Sequence, residues 1–125
     1  MADTEILDSI LLSVKKNIGI HKTATEFDED LIMAINSAIA VLRQLGVGSE
    51  DFSIKDETAT WTDFIGSAKN LEMIKTYVSA KVGIIFDPPQ NSSLLEAKKE
   101  LLAEMEWRIN VTVDPGDKEE EQNGR

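Results

Sequence analysis

The chain has 125 residues, 42% of them hydrophobic, and carries 23 acids against 13 bases for a formal net charge of -10. That length supports one hydrophobic core and is short for two domains, while the acidic balance excludes a surface built to neutralise phosphates, since nucleic-acid affinity comes largely from Lys and Arg displacing counterions. The absence of Cys removes disulfides, thiolate nucleophiles and Cys-based zinc sites, and a single histidine, His21, cannot build a multi-histidine one.

No apolar run approaches the roughly 18 residues of a membrane span. The opening MADTEILDSI places acids where a signal peptide carries bases. The expectation is a soluble protein with no membrane contact. Its acidity is uneven: Glu26 to Asp63 holds nine acids and two bases, and Asp114 to Arg125 holds five and two, whereas the remaining segments balance.

From Glu5 to Ile18, the residues Ile6, Leu7, Ile10, Leu11, Val14 and Ile18 recur at intervals of three and four, predicting an amphipathic helix that stops at Gly19. A second stripe, Leu31, Ile35, Ala38, Leu42 and Leu45 with Ile32 and Ile39 beside it, follows FDED, whose carboxylates suit the positive end of a helix dipole. LGVG predicts its end, with Gly46 just past the last turn and Val47 folding back onto it. Phe52 to Lys55 alternate apolar and polar, so DFSIKDETATW predicts at most a short strand or hairpin.

Thr60 and Asp63 have the spacing of a capping box, which makes TWTDFI a short helical turn anchored by Trp61 and Phe64. The next helix carries Leu71, Ile74, Tyr77, Val78, Val82, Ile85 and Phe86 on a wide apolar side. Pro88 pushes Asp87 out of helical backbone and Pro89 prevents re-entry, so this helix must stop near Phe86. Ser93 and Glu96 are spaced as a second capping box, opening a last helix striped by Leu94, Ala97, Leu101, Met105 and Ile109, with Leu95 and Leu102 alongside. Past Asn110 the pattern fails, and VTVDPGDKEEEQNGR has the composition of a segment that does not order alone.

These elements predict an all-α fold, a small bundle of about four main helices with a short helical turn or hairpin between the second and third. Residues 1–112 read as the helical domain and 113–125 as an acidic tail.

A search for chemistry in the sequence returns solvated or structural roles. His21 lies in a polar connection with no nucleophile signature around it. Asp28, Glu29 and Asp30 lack the alternating spacing of a calcium loop and read as dipole caps. Glu100, Glu104 and Glu106 read as a solvated face paired with Lys98 and Lys99. No catalytic residue, metal site or cofactor is expected. Trp107 beside Arg108, next to Ile109 and Val111, has the composition of an interface anchor, and core packing fits it equally well.

Taken in order and spacing, DLIMAINSAIAVLRQLGVG, TWTDFI, LEMIKTYVSAKVGIIFDPP and EMEWRINV resemble the head-tail connector, or head-completion adaptor, proteins of long-tailed bacteriophages and their prophages, over about Ile6 to Val111. The resemblance implies a non-enzymatic adaptor in the virion neck, assembled from the host cytoplasm as a closed cyclic ring, a dodecamer, beneath the portal protein. It also implies a stopper or tail-completion protein as the second partner, and DNA passing through the ring's channel without specific binding.

Because the C-terminal helix of such proteins often reaches the portal, the resemblance makes Trp107, Arg108, Ile109 and Val111 the candidate portal interface. Glu50, Asp51, Asp56 and Glu57 become a candidate channel-facing or neighbour-facing loop, and Asp87, Pro88 and Pro89 a structural corner between the third and fourth helices. The rival expectation is a cytoplasmic, non-enzymatic helical domain for protein interaction or regulation. Such a domain would stay monomeric even with portal present.

Overall fold

The computed structural model describes residues 8–66 and 70–113. Among the described residues five helices follow in chain order: α1 (Ile10–Ile18), α2 (Asp28–Gln44), α3 (Trp61–Ile65), α4 (Leu71–Phe86) and α5 (Ser92–Val113). Among the described residues there is no strand, only one isolated antiparallel bridge between Ser9 and Thr60. The fold is a small all-α bundle, with α3 as the short turn between the second and third main helices.

Local chemistry accounts for the helix ends. Ser9 caps α1, its hydroxyl accepting from the Leu12 N–H at 3.2 Å. At the end of α2, Gly46 adopts a left-handed φ of 93°. Its N–H then reaches the Arg43 carbonyl at 3.0 Å and that of Val47 reaches Leu42 at 2.9 Å, which is the Schellman pattern. Val47 is buried there, as expected of a residue folding back. In α3 the capping box forms in both directions, Asp63 N–H to the Thr60 hydroxyl at 3.0 Å and Thr60 N–H to the Asp63 carboxylate at 3.3 Å.

Helix α4 stops at Phe86, before the two prolines. The start of α5 differs from expectation. Asn91, not Ser93, supplies the cap, its Oδ1 accepting from the Leu94 N–H at 3.0 Å. Asn and Ser cap about equally well, so the earlier residue takes the position once the chain leaves Pro89. The expected break after Asn110 is also absent, since α5 continues to Val113. Within the expected first helix, Ile6 and Leu7 lie outside the described residues, as does the tail from Asp114 onward.

Helix α4 is the centre of the bundle and touches α1, α2 and α5. Ile74, Tyr77, Val78 and Val82 are buried against Ile10, Val14, Leu31, Ile35, Ile39 and Leu42. Trp61 and Phe64 close the core from α3, the indole N–H of Trp61 donating to the buried Ser13 hydroxyl at 2.9 Å. Ile85, expected on the apolar side of α4, is instead exposed.

The predicted strand at 52–55 does not form, although its alternation is real. Ile54 is buried and Phe52 stacks on Phe64 with ring centroids 4.9 Å apart, while Ser53 and Lys55 face solvent. What the segment lacks is a partner strand. Asn36 in the middle of α2 takes that role, donating to the Ile54 carbonyl at 3.0 Å and accepting its N–H at 2.8 Å. The loop thereby satisfies its backbone without a sheet.

Candidate functional site

Helix α5 is built asymmetrically. Leu102 and Ile109 are buried against the bundle, and Met105 is half-buried beside them. Two polar contacts fix the same side. The hydroxyl of Tyr77 donates to the Glu106 carboxylate at 2.7 Å, and the Asn110 amide donates to the Leu45 carbonyl at 3.2 Å. Burial pushes the Tyr77 phenol well above its ordinary value, and the carboxylate beside it acts in the same direction. Leu94, Leu101 and Trp107 stay on the surface at 49%, 54% and 67% exposure. Of the expected stripe, Met105 and Ile109 pack on the bundle while Leu94, Ala97 and Leu101 face solvent, so the contact side runs through Ile109 and the flanking Leu102.

The four residues singled out at the end of this helix separate by angle. Trp107 and Arg108 project outward, Arg108 reaching back to Glu104 at 3.3 Å. Ile109 is fully buried and Val111 half-buried. The outward pair thus stands on a helix whose own core contact lies one residue away. The Asp87-Pro88-Pro89 corner lies before the other end of α5, and Ser92 to Trp107 corresponds to about 22 Å of helix.

Glu50, Asp51, Asp56 and Glu57 all lie exposed on the loop between α2 and α3. That loop is held firmly. Besides the Asn36 clamp on Ile54, the Ser9 hydroxyl donates to the Glu57 carbonyl at 2.7 Å, and the Ile10 N–H donates to Ala59 at 3.0 Å. The Thr58 hydroxyl and N–H both donate to Asp56, holding its carboxyl below the usual range. Gly48, with a φ of 78°, lies against the ring of Phe64 so closely that a Cβ would overlap it. Only glycine fits the start of this loop.

The remaining acids divide between structure and solvent. Asp28 pairs with Lys15, whose ammonium is 2.9 Å away and also donates to the carbonyls of Ala24 at 2.7 Å and Lys22 at 3.2 Å. Lys15 is only 1% exposed. This buried cation was not anticipated, yet it was findable, since Leu11, Val14, Lys15 and Ile18 share one helical face. Glu104 and Glu106 pair with Arg108 and Tyr77, not with Lys98 and Lys99. His21 is exposed and contacts Thr23. Among the described residues no three metal-ligating side chains gather, and no helix is long and apolar enough to cross a membrane.

Two further surface features had no sequence signal. A groove of about 1040 Å³ opens where α1, α4 and α5 meet, floored by apolar residues such as Ile84 and Leu101 and bordered by charges of both signs, Lys16, Lys75 and Lys98 with Glu72 and Asp87. Beside it, Met33 and Ile85 stand exposed next to Phe27 and Phe86, whose rings meet edge to face at 5.4 Å.

A family model described as phage connector protein matches residues 10–116. Comparison with the curated proteins gives no match, and comparison with the solved structures gives none either.

Proposed function

The chain belongs to the phage head-tail connector family, a family of structural proteins, and on that premise we propose that it is the adaptor that forms a ring beneath the portal and joins the capsid to the tail. One side of the ring meets the portal protein and the other a stopper or tail-completion protein. DNA passes through the channel without being gripped, which suits a chain whose net charge is -10. The protein acts in the virion neck after assembly from the host cytoplasm.

The observation that carries the portal assignment is Trp107. A large aromatic that is two-thirds exposed, on a helix already fixed by Ile109 and by the Tyr77–Glu106 hydrogen bond, has no work to do in the monomer. Buried Trp and Arg are the side chains most enriched among residues that dominate binding energy at interfaces. Trp107 with Arg108 is accordingly the portal anchor, with Ile109 and Val111 as its support.

Co-sedimentation with portal tests this reading. Trp107→Ala should lower portal binding by about 2 kcal/mol or more, a loss of roughly thirtyfold, while helix content and melting stay those of the parent chain. A variant that binds portal with full affinity overturns the anchor. A wild-type chain that binds neither portal nor a tail-completion protein overturns the adaptor reading itself.

A further inference from the structure

We propose that the connection between α1 and α2, residues 19–27, is folded around a cation site whose occupant is the ammonium of Lys15, tethered to the chain in the place of a free ion. Lys15 lies in the last turn of α1 and is only 1% exposed. Three oxygens surround its Nζ: the Ala24 carbonyl at 2.7 Å, the Asp28 carboxylate at 2.9 Å and the Lys22 carbonyl at 3.2 Å. Carbonyls together with a carboxylate are the ligands with which protein loops hold a hard cation. An ammonium has three N–H donors, and here each oxygen takes one.

Little else fixes the path of this segment. None of the residues 19–27 is buried, so apolar packing contributes little to its shape. Its backbone bonds are short-range, from the Ile20 N–H to the Lys15 carbonyl at 2.8 Å, from Ala24 to His21 at 3.0 Å and from Asp28 to Thr25 at 3.2 Å. Among the described residues neither the Lys22 nor the Ala24 carbonyl accepts a backbone N–H, and Lys15 is the partner of both.

An ordinary ion pair would need Asp28 alone. That carboxylate keeps 26% of its side chain in water, so the attraction between the two charges is partly screened and the carbonyls carry a share of the hold. A buried ammonium is costly unless its donors are all taken, and the bend of residues 22–24 over Lys15 is what takes two of them. Asp28 follows Phe27, whose ring meets Phe86 edge to face at 5.4 Å. The same ammonium thereby fixes the end of the connection on which that apolar corner stands.

Emptying the site tests it. Lys15→Ala removes the side chain from Cγ outward and leaves room for a propylammonium ion, whereas Lys15→Met fills that room with an apolar chain. Both variants should keep their helices by circular dichroism, and amide exchange at Ala24 and Asp28 should rise at least about tenfold over the parent. Propylammonium chloride should then return Lys15→Ala toward the parent rate in a saturable way and leave Lys15→Met unchanged. Tetramethylammonium chloride at the same ionic strength screens charge equally but has no N–H to donate, so it should restore neither. Asp28→Asn removes the charge and keeps an oxygen, so its exchange should rise less than that of Lys15→Met.

Parent exchange rates in Lys15→Met overturn the proposal, as does a Lys15→Ala chain that propylammonium leaves unchanged or that tetramethylammonium restores as well. If Asp28→Asn loosens the connection as much as Lys15→Met does, the contact is an ion pair and not a cation site. Should Lys15→Ala fail to fold, the comparison of Lys15→Met with Asp28→Asn decides.

Discussion

Trp61 is 1% exposed and donates its indole N–H to Ser13, whereas Trp107 is 67% exposed, and no hydrogen bond fixes its ring among the described residues. They are the two tryptophans of the chain, and they stand for its two regions. Around Trp61, helices α1, α2 and α4 with α3 bury their apolar stripes in one continuous core. Around Trp107, α5 touches that core along one side only and leaves Leu94 and Leu101 to solvent as well. The first region holds nearly all of the buried core, with Met33 and Ile85 left exposed on its outer side. The second adds only one side to that core and leaves its largest apolar side chain in water, which is the arrangement expected where stability and attachment are separate tasks.

The largest test of this division is Trp61→Ala, which should cost about 3 to 5 kcal/mol, because it opens a cavity in the core and leaves the Ser13 hydroxyl without its donor. Chemical denaturation should show the loss as a lower midpoint with little change in slope. A cost under about 1 kcal/mol would mean that the core collapses around the hole and that the two regions differ less than their burial suggests.

Next comes Gly48→Ala, at about 1 to 3 kcal/mol. The added methyl meets the ring of Phe64 and the position has a φ of 78°, so both packing and backbone oppose it. Because Phe64 also carries the stacked Phe52, the variant should loosen the acidic loop together with the core, seen as faster amide exchange at Ile54 than in the parent. Unchanged exchange there would show that the Phe64 ring takes no part in holding the loop, which Asn36 and Ser9 then hold without it.

The packed faces of α1, α2 and most of α4 were legible in the sequence, as were the ends of α2, α3 and α4, whereas the start of α5 and its packed face were not. Gly46, the Thr60–Asp63 box and the two prolines act through backbone geometry within a few residues, so their effects do not depend on what lies elsewhere in the fold. On α5, by contrast, Leu94 and Leu101 share one helical spacing, Leu102 and Ile109 share another, and only the position of α4 decides which pair is covered. The same holds for the loop at 52–55, where alternation predicted a strand but the partner was a side chain eighteen residues away in sequence, Asn36. Of the candidate site, the outward direction of Trp107 depended on that same helix rotation. The groove had no sequence signal, because its lysines come from three helices.

Tyr77→Phe probes the seam between the two regions. It removes the hydrogen bond to Glu106, which is half-buried, and should cost about 1 to 2 kcal/mol. The seam also sets an alkaline limit. A phenol whose folded value is raised contributes stability that is fully present below its unfolded value, about 10, and is lost as pH rises above it. Tyr77 is the single tyrosine, so tyrosinate absorbance reports it alone. Helicity and tyrosinate should change together in one alkaline step. Tyrosinate appearing near pH 10 with the helices intact would mean that α5 lifts off the bundle by itself.

The corner before α5 should matter less to the isolated chain. Pro88→Ala with Pro89→Ala allows α4 to extend past Phe86, yet the core residues of α4 lie earlier, so melting should shift by only about 1 kcal/mol while portal attachment falls. Full attachment by this double variant would show that the angle of α5 is set by Leu102 and Ile109 rather than by the prolines.

The smallest effect on the fold belongs to Trp107→Ala, within about 0.5 kcal/mol of the parent. Its expected signature is optical. Trp107 lies in water and Trp61 does not, so an aqueous quencher should reach one indole and spare the other, giving a curved quenching plot and emission made of a long-wavelength and a short-wavelength component. Removing Trp107 should leave the short-wavelength component and a linear plot of low slope. Portal added to the wild type should shield the quenchable fraction, because an anchor buried at an interface leaves water. If Trp107→Ala instead melts early and shifts the emission of Trp61, the indole packs on the bundle in solution and the second region is part of the first.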